Sequence, residues 1–265
     1  MARLGLALPS RPATWAALVA LAQQAEALGL DSLWLADPDE DENEYENDAV
    51  DPLVALAGLA RATTTIRLGT FALDASRRPP GVLAKALATI DRLSGGRLTV
   101  ALAPGDDTAS AAGQLAELLH VLRAAFAGGT VDHAGRFLQV EGLRVDPGPV
   151  QRPSPPLWVV GRSEPLLALA AAQADGWNPG TWVTGADEVR VDAARADEAC
   201  RRAGRDPATL ARSAGWSAVG RRADLVAAAA GWTAAGVVDL VGSPGALPFG
   251  ETTTDDLRRM ASATE

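Results

Sequence analysis

From Leu157 to Trp177 the chain runs through a short apolar segment, a small-residue turn and an Ala/Leu-rich helix before Asp175-Gly176-Trp177. A strand that feeds straight into a helix aims the helix's unpaired N–H groups at whatever lies beyond the strand, which suits a phosphate. Within the turn, Gly161 lets the backbone come close to a ligand, Ser163 can cap the helix or bond a phosphate oxygen, and Arg162 can add a positive charge. The same residues, with Glu164, also describe an ordinary helix start, where a first-turn carboxylate is stabilised by the helix dipole without any ligand.

Two carboxylates are candidates for catalytic proton transfer. Asp106 follows Pro104-Gly105, and Asp37 follows the apolar run Ser32 to Ala36. Each could serve as general acid or base in a pocket dry enough to raise its pKa, and each also fits a solvated loop residue. Asp37 heads an acidic run to Asp48 in which like charges repel and favour an extended loop. Asp39, Asp41 and Asn43 alternate as calcium ligands do, but Glu44 and Val50 stand where a calcium loop needs glycine and glutamate. Of two histidines, His120 reads as a packing or surface residue of a helix and His133 as a turn residue. Neither pairs with Cys200 or with a nucleophile-elbow serine, so triad and zinc chemistry lack support. Trp34, Trp158 and Trp177 fall in or at the ends of strands, where they can line a flat cofactor or simply pack the core.

The elements that must position these residues alternate. Arg3 to Leu8 predicts a strand and Trp15 to Leu28 a helix with one apolar face, stopped by Gly29. Ser32 to Ala36 predicts a second strand, followed by a helix capped by Asp51 with Pro52 in its first turn. The pattern continues with a strand at Ile66 to Leu73, a helix at Pro80 to Leu93, a strand at Arg97 to Ala103 and a helix at about Ala111 to Phe126. It breaks at Gly128-Gly129, where Thr130 to Val145 alternates like a hairpin and Asp146 to Pro156 is proline-rich. It resumes with strands at Leu157 to Val160, about Asp175 to Asn178, Ser213 to Val219 and Gly236 to Val241. Helices are expected at about Asp187 to Arg202, Arg222 to Ala235 and Asp255 to Ala261. Eight strand–helix units are the number that closes a parallel (β/α)8 TIM barrel, an α/β fold, here with a hairpin-like excursion between the fourth helix and fifth strand. An open doubly wound sheet competes, but no glycine fingerprint follows the first strand. In a barrel the residues just past each strand converge on one mouth, which adds Thr70, Phe71, Gly105 and Trp177 to the candidates for binding.

Composition sets outer bounds. With 265 residues, 48% hydrophobic and 22% charged, the chain can bury a large core, and one domain over residues 1–265 is expected. A formal charge of −9 argues against nucleic acid or an anionic membrane as partner. A single cysteine leaves no intramolecular disulfide framework, and no export signal or membrane span is legible, so a cytoplasmic protein is expected.

Three stretches together resemble the bacterial luciferase-like monooxygenase family. They are Ala25 to Asp37; Asp51-Pro52-Leu53 through Ile66-Arg67-Leu68-Gly69-Thr70 to Leu83–Arg97; and Pro149-Val150-Gln151-Arg152-Pro153 through Asp175-Gly176-Trp177. The resemblance covers nearly the whole chain. It implies a TIM barrel with a flavin or deazaflavin ring over the mouth, a strained turn near Gly69-Thr70-Phe71 behind the ring, and a phosphate held at Gly161-Arg162-Ser163. It also implies that Asp106 stands where the deazaflavin branch often carries a proton-handling acid, and that the chain forms a homodimer. The Ala/Arg-rich wording tips the choice of cofactor toward coenzyme F420, with FMN as the alternative. Two departures stand out: Pro38 replaces the histidine that many relatives carry after the strand-two aspartate, and the segment after strand four is short. Two readings follow. One is an oxidoreductase acting on a small organic substrate by hydride transfer or monooxygenation. The other is a degenerate barrel with little turnover that binds a cofactor or serves as a partner subunit.

Overall fold

The computed structural model describes residues 3–8, 14–37, 49–105, 108–180, 182–183, 186–217, 236–237 and 239–243. In chain order these form β1 (Arg3–Ala7), α1 (Trp15–Ala27), β2 (Ser32–Leu35), α2 (Pro52–Ala62), β3 (Arg67–Thr70), β4 (Leu73–Asp74), α3 (Pro80–Ser94) and β5 (Leu98–Ala103). There follow α4 (Ala109–Ala127), β6 (Val131–Ala134), β7 (Gln139–Leu143), β8 (Leu157–Val160), α5 (Glu164–Gln173), β9 (Gly176–Asn178), β10 (Trp182–Val183), α6 (Ala186–Arg202), β11 (Ala211–Ser217) and β12 (Asp239–Ser243). The expected helices at 222–235 and 255–261 lie outside the described residues.

The parallel strands β1, β2, β3, β5, β8, β9, β11 and β12 pair in that order, and β12 pairs back to β1, so the sheet closes into a barrel. The open-sheet alternative is thereby excluded. The expected excursion is the antiparallel β6–β7 hairpin, inserted between α4 and β8. The third strand is shorter than the apolar run predicts. It ends at Thr70, a cis peptide joins Phe71 to Ala72, and β4 then takes over the pairing with β5. The last strand begins at Asp239 rather than Gly236, whose φ of +78° belongs to a turn.

Side chains on the strands alternate between two cores. Leu33, Leu35, Leu68, Leu98, Val100, Leu102, Leu157 and Val159 point outward and pack against the helices. Trp34, Ala101, Trp158, Val160 and Val241 point inward and fill the barrel. The two indoles lie 5.8 Å apart between centroids, and glycines on the flanking strands make room for them. A Cβ at Gly69 would lie 2.2 Å from Trp34, one at Gly5 2.5 Å from the same ring, and one at Gly176 2.4 Å from Trp158.

The end of the barrel where strands begin is tied together by side chains bonded to main chain. Asp31 accepts the Leu4 N–H, and Glu26 accepts those of Thr64, Thr65 and Ile66 just before β3. Burial works to raise the Glu26 pKa, yet these hydrogen bonds outweigh it and bring it down to about 2. Arg97, just before β5, donates to the carbonyls of Ala60, Thr63, Ile66 and Ser94. Asp91, fully buried, accepts the N–H groups of Val150 and Gln151 and the Gln151 side-chain amide. Asp175 accepts the Leu157 N–H at the start of β8 and pairs with Arg123.

Candidate cofactor site at the barrel mouth

The opposite end, where strands finish, gathers most of the residues singled out above. Ala7, Phe71, Ala72 and Ala103 are half-buried there and pack onto the Trp34, Trp158 and Val160 side chains, with Phe71 edge-on to Trp34 at 6.1 Å. The strand ends therefore form a low apolar floor, with the interior below already filled by indoles. A flat ring has a seat at the mouth and no room deeper in the barrel.

On one side of this floor stands the turn between β8 and α5. Gly161 has φ +137°, a conformation side chains rarely adopt, and a Cβ there would also lie 2.3 Å from the Leu166 side chain. Its N–H donates to Asn178 O and its carbonyl accepts the Trp177 Nε1–H, which pins the turn to β9. Ser163 is the N-cap of α5, yet its hydroxyl makes no capping bond, and its Oγ is buried with no hydrogen-bond partner among the described residues. An orphaned buried hydroxyl at a helix start is costly unless something bonds it. The first turn supplies the amides of Glu164 and Leu166, Pro165 having none. Arg162 pairs side-on with Asp192 of α6, Nη2 to Oδ2 at 2.7 Å and Nε to Oδ1 at 3.3 Å. Arg195 donates to the Arg162 carbonyl at 2.7 Å, and Arg202 pairs with Glu164 at 3.0 Å.

On another side of the mouth Asp37 is engaged by its neighbours. Arg78, at the loop before α3, donates Nη1 and Nη2 to its two oxygens at 2.7 Å each, and the Asp74 N–H donates to Oδ2 at 2.8 Å. The same guanidinium reaches Asp51, the N-cap of α2. Hydrogen bonding to Asp37 outweighs burial and pushes the Arg78 pKa up. For Asp51, burial pushes upward, but Arg78 and the Val54 and Leu53 amides hold the carboxyl below its ordinary range. Arg78 thus fastens together the two ends of the acidic segment, Asp37 before it and Asp51 after it.

Three of the sequence candidates sit differently from expectation. The Thr70 side chain is buried, and its Oγ1 both donates to Ala101 O and accepts from Ala101 N. It stands in for a missing backbone partner where β3 leaves β5, so the hydroxyl's one proton is committed to the fold. Trp177 points outward by the alternation of β9 and belongs to the core under the helices; its inward neighbours on that strand are Gly176 and Asn178. Gly105 is exposed beside Asp74 and Ser76, at the rim rather than the floor. Asp106 lies outside the described residues. Arg78 and Asp192 were not among the candidates. Asp192 had a readable signal: it falls on the apolar stripe of α6 formed by Val189, Ala193, Ala196 and Cys200, where an acid is out of place unless paired. Arg78 had none, since a loop arginine reads as solvated.

No described helix is long and apolar enough to cross a membrane, and no group of three or more His, Cys, Asp or Glu among the described residues could hold a metal.

The fold has many solved counterparts. A coenzyme F420-dependent tetrahydromethanopterin reductase from Methanopyrus kandleri superposes with a TM-score of 0.81 at 16% identity, covering 98% of both chains. An F420-dependent secondary alcohol dehydrogenase superposes at 0.85 and 14% identity, covering 100% of this chain and 99% of that one. A monooxygenase, RslO1 from Streptomyces bottropensis, does so at 0.80 and 19% identity, again over 98% of each chain. At these identities the likeness is one of fold. The sequence itself matches the luciferase-like monooxygenase family over residues 2–237, so the chain belongs to that family of oxidoreductase enzymes.

Proposed function

We propose that the protein is an F420-dependent oxidoreductase acting on a small organic substrate, and that the β8–α5 turn takes the cofactor's phosphate. The observation that carries this reading is the buried, unpartnered Ser163 Oγ at the start of α5, beside an apolar floor. The residues fit the group. Ser163 Oγ and the Glu164 and Leu166 amides would hold the phosphate, and Gly161 lets the backbone approach it. Ala7, Phe71, Ala72 and Ala103 would support the ring. When bound, the cofactor supplies hydride transfer at its ring. The chain's own contribution is to bind, orient and exclude water from one ring face, since the indoles of Trp34 and Trp158 close the barrel beneath. Asp37 is fixed as a partner of Arg78, which leaves Asp106 as the candidate to carry a proton. The choice of F420 over FMN follows the two F420-dependent enzymes that share the fold. Homodimer formation belongs to the same proposal, favoured by the exposed Trp15, Val54 and Val82 on α1, α2 and α3; sedimentation velocity checks it.

Anaerobic titration of the purified protein with F420 and with FMN, followed by absorbance and fluorescence, tests the reading. Saturable binding of F420 more tightly than FMN is expected, and tighter FMN would reassign the cofactor. No binding of either below about millimolar would defeat it. Binding without substrate turnover would support a degenerate barrel, which the engaged Asp37 and the proline at position 38 favour.

A further inference from the structure

The ion pair between Arg162 and Asp192 has no role in the reading above, and its geometry is unusual for a surface pair. Asp192 is 3% exposed at its side chain, on the buried stripe of α6, whereas Arg162 is 40% exposed. A carboxylate buried that deeply is costly to desolvate, and a pair that only stabilised the fold could be replaced by apolar packing at little loss. The pairing is side-on. It consumes the Nε edge of the guanidinium and leaves both Nη1 donors with no acceptor among the described residues. Meanwhile Arg195, itself 3.8 Å from Asp192, takes the Arg162 carbonyl, so backbone and side chain of one residue are fixed by one helix. Arg162 sits between Gly161 and Ser163, the two residues that shape the anion corner. Glu164, the nearby acid, is drawn off by Arg202 at 3.0 Å and Arg195 at 3.9 Å.

We infer that Asp192 is a positioning residue for anion recognition: it holds Arg162 so that the free Nη1 edge and the adjoining Ser163 corner are set in place before a phosphorylated cofactor arrives. This rests on the reading of the corner as the phosphate site. Preorganising a guanidinium spares the ordering entropy that a free arginine would lose on binding, so the effect belongs to the phosphorylated ligand and not to the ring.

The test compares ligands that share a ring and differ in the phosphate: FMN with riboflavin, and F420 with its ribityl deazaflavin core. Dissociation constants are measured by fluorescence titration for the wild type, Asp192→Asn, Arg162→Gln and the double variant, with folding checked by circular dichroism. Asp192→Asn is expected to weaken the phosphorylated ligand about 10-fold and its core ligand less than about 2-fold, with the double variant no worse than Arg162→Gln. Equal losses for both ligands would mark the pair as structural and overturn the inference, as would no loss at all. Arg162→Gln changes a half-exposed residue and keeps the test open if Asp192→Asn fails to fold; unchanged phosphate preference in that variant also overturns it. A wild type that binds none of the four ligands defeats the oxidoreductase reading itself, whereas a binding wild type with indifferent variants defeats only this step.

Discussion

The two ends of the barrel are made from the same strands but spend their polar side chains differently. Where strands begin, Glu26, Asp31, Asp91, Arg97 and Asp175 bond backbone groups of a neighbouring segment, and each has its partners within the protein. Where strands end, Asp37 and Asp192 hold arginines, while among the described residues Ser163 Oγ has no partner and the Arg162 Nη1 edge no acceptor. The first end is satisfied from within the protein except at Arg212, near the start of β11, whose buried Nε has no partner among the described residues; the second end leaves Ser163 Oγ open at a helix start. Parallel barrels generally divide in this way, with stability at one face and binding at the other.

The contrast can be broken or sharpened by substitution. The largest effect is expected at the closed end: Asp91→Ala removes a fully buried carboxylate and leaves the Val150 and Gln151 amides without their acceptor, which should cost about 3 kcal/mol, read as a fall in the urea midpoint, with cofactor affinity of the folded protein unchanged. At the mouth, Asp37→Asn removes the charge that Arg78 grips bidentately. It should cost about 2 kcal/mol of stability, and a fall in kcat with no change in midpoint would instead return Asp37 to a catalytic role. Ser163→Ala should leave stability within about 0.5 kcal/mol while weakening a phosphorylated cofactor about 5-fold, near 1 kcal/mol. A stability loss like that of Asp91→Ala would erase the distinction between the ends.

The smallest effect depends on pH. The Glu26 carboxyl, held at about 2 from an ordinary 4.5, favours the folded state fully above pH 4.5, and that advantage is lost as pH falls toward 2. Melting curves of the wild type and Glu26→Gln should therefore differ above pH 4.5 and converge below it; a gap independent of pH would contradict the assignment.

The same division explains what could be read from the sequence. The stretches that carry the family resemblance include Glu26, Asp31, Asp91, Arg97, Gln151 and Asp175, all of them at the closed end. Their bonds to backbone require particular side chains at particular places, so the chain spells them plainly, and the barrel follows with its strands nearly in register. Glycines opposite indoles, such as Gly69 beside Trp34, are equally literal once the strands are paired. The mouth is harder to read because Asp37 and Asp192 there pair with other side chains rather than with backbone, and no local pattern marks such pairs. Thr70 and Trp177 lie at strand ends, but a single step of the two-residue alternation turns Trp177 to the helices, and the break between β3 and β4 claims the Thr70 hydroxyl. Arg78 reaches Asp37 across 41 residues, a pairing that no local pattern announces.

The proposed cofactor site turns on Ser163, and a crystal structure of the protein grown with its cofactor shows whether it holds the phosphate. The phosphate is expected against Ser163 Oγ and the Glu164 and Leu166 amides, with the ring over Ala7, Ala72 and Ala103. A cofactor bound with its phosphate elsewhere, and Ser163 still buried without a partner, would contradict it.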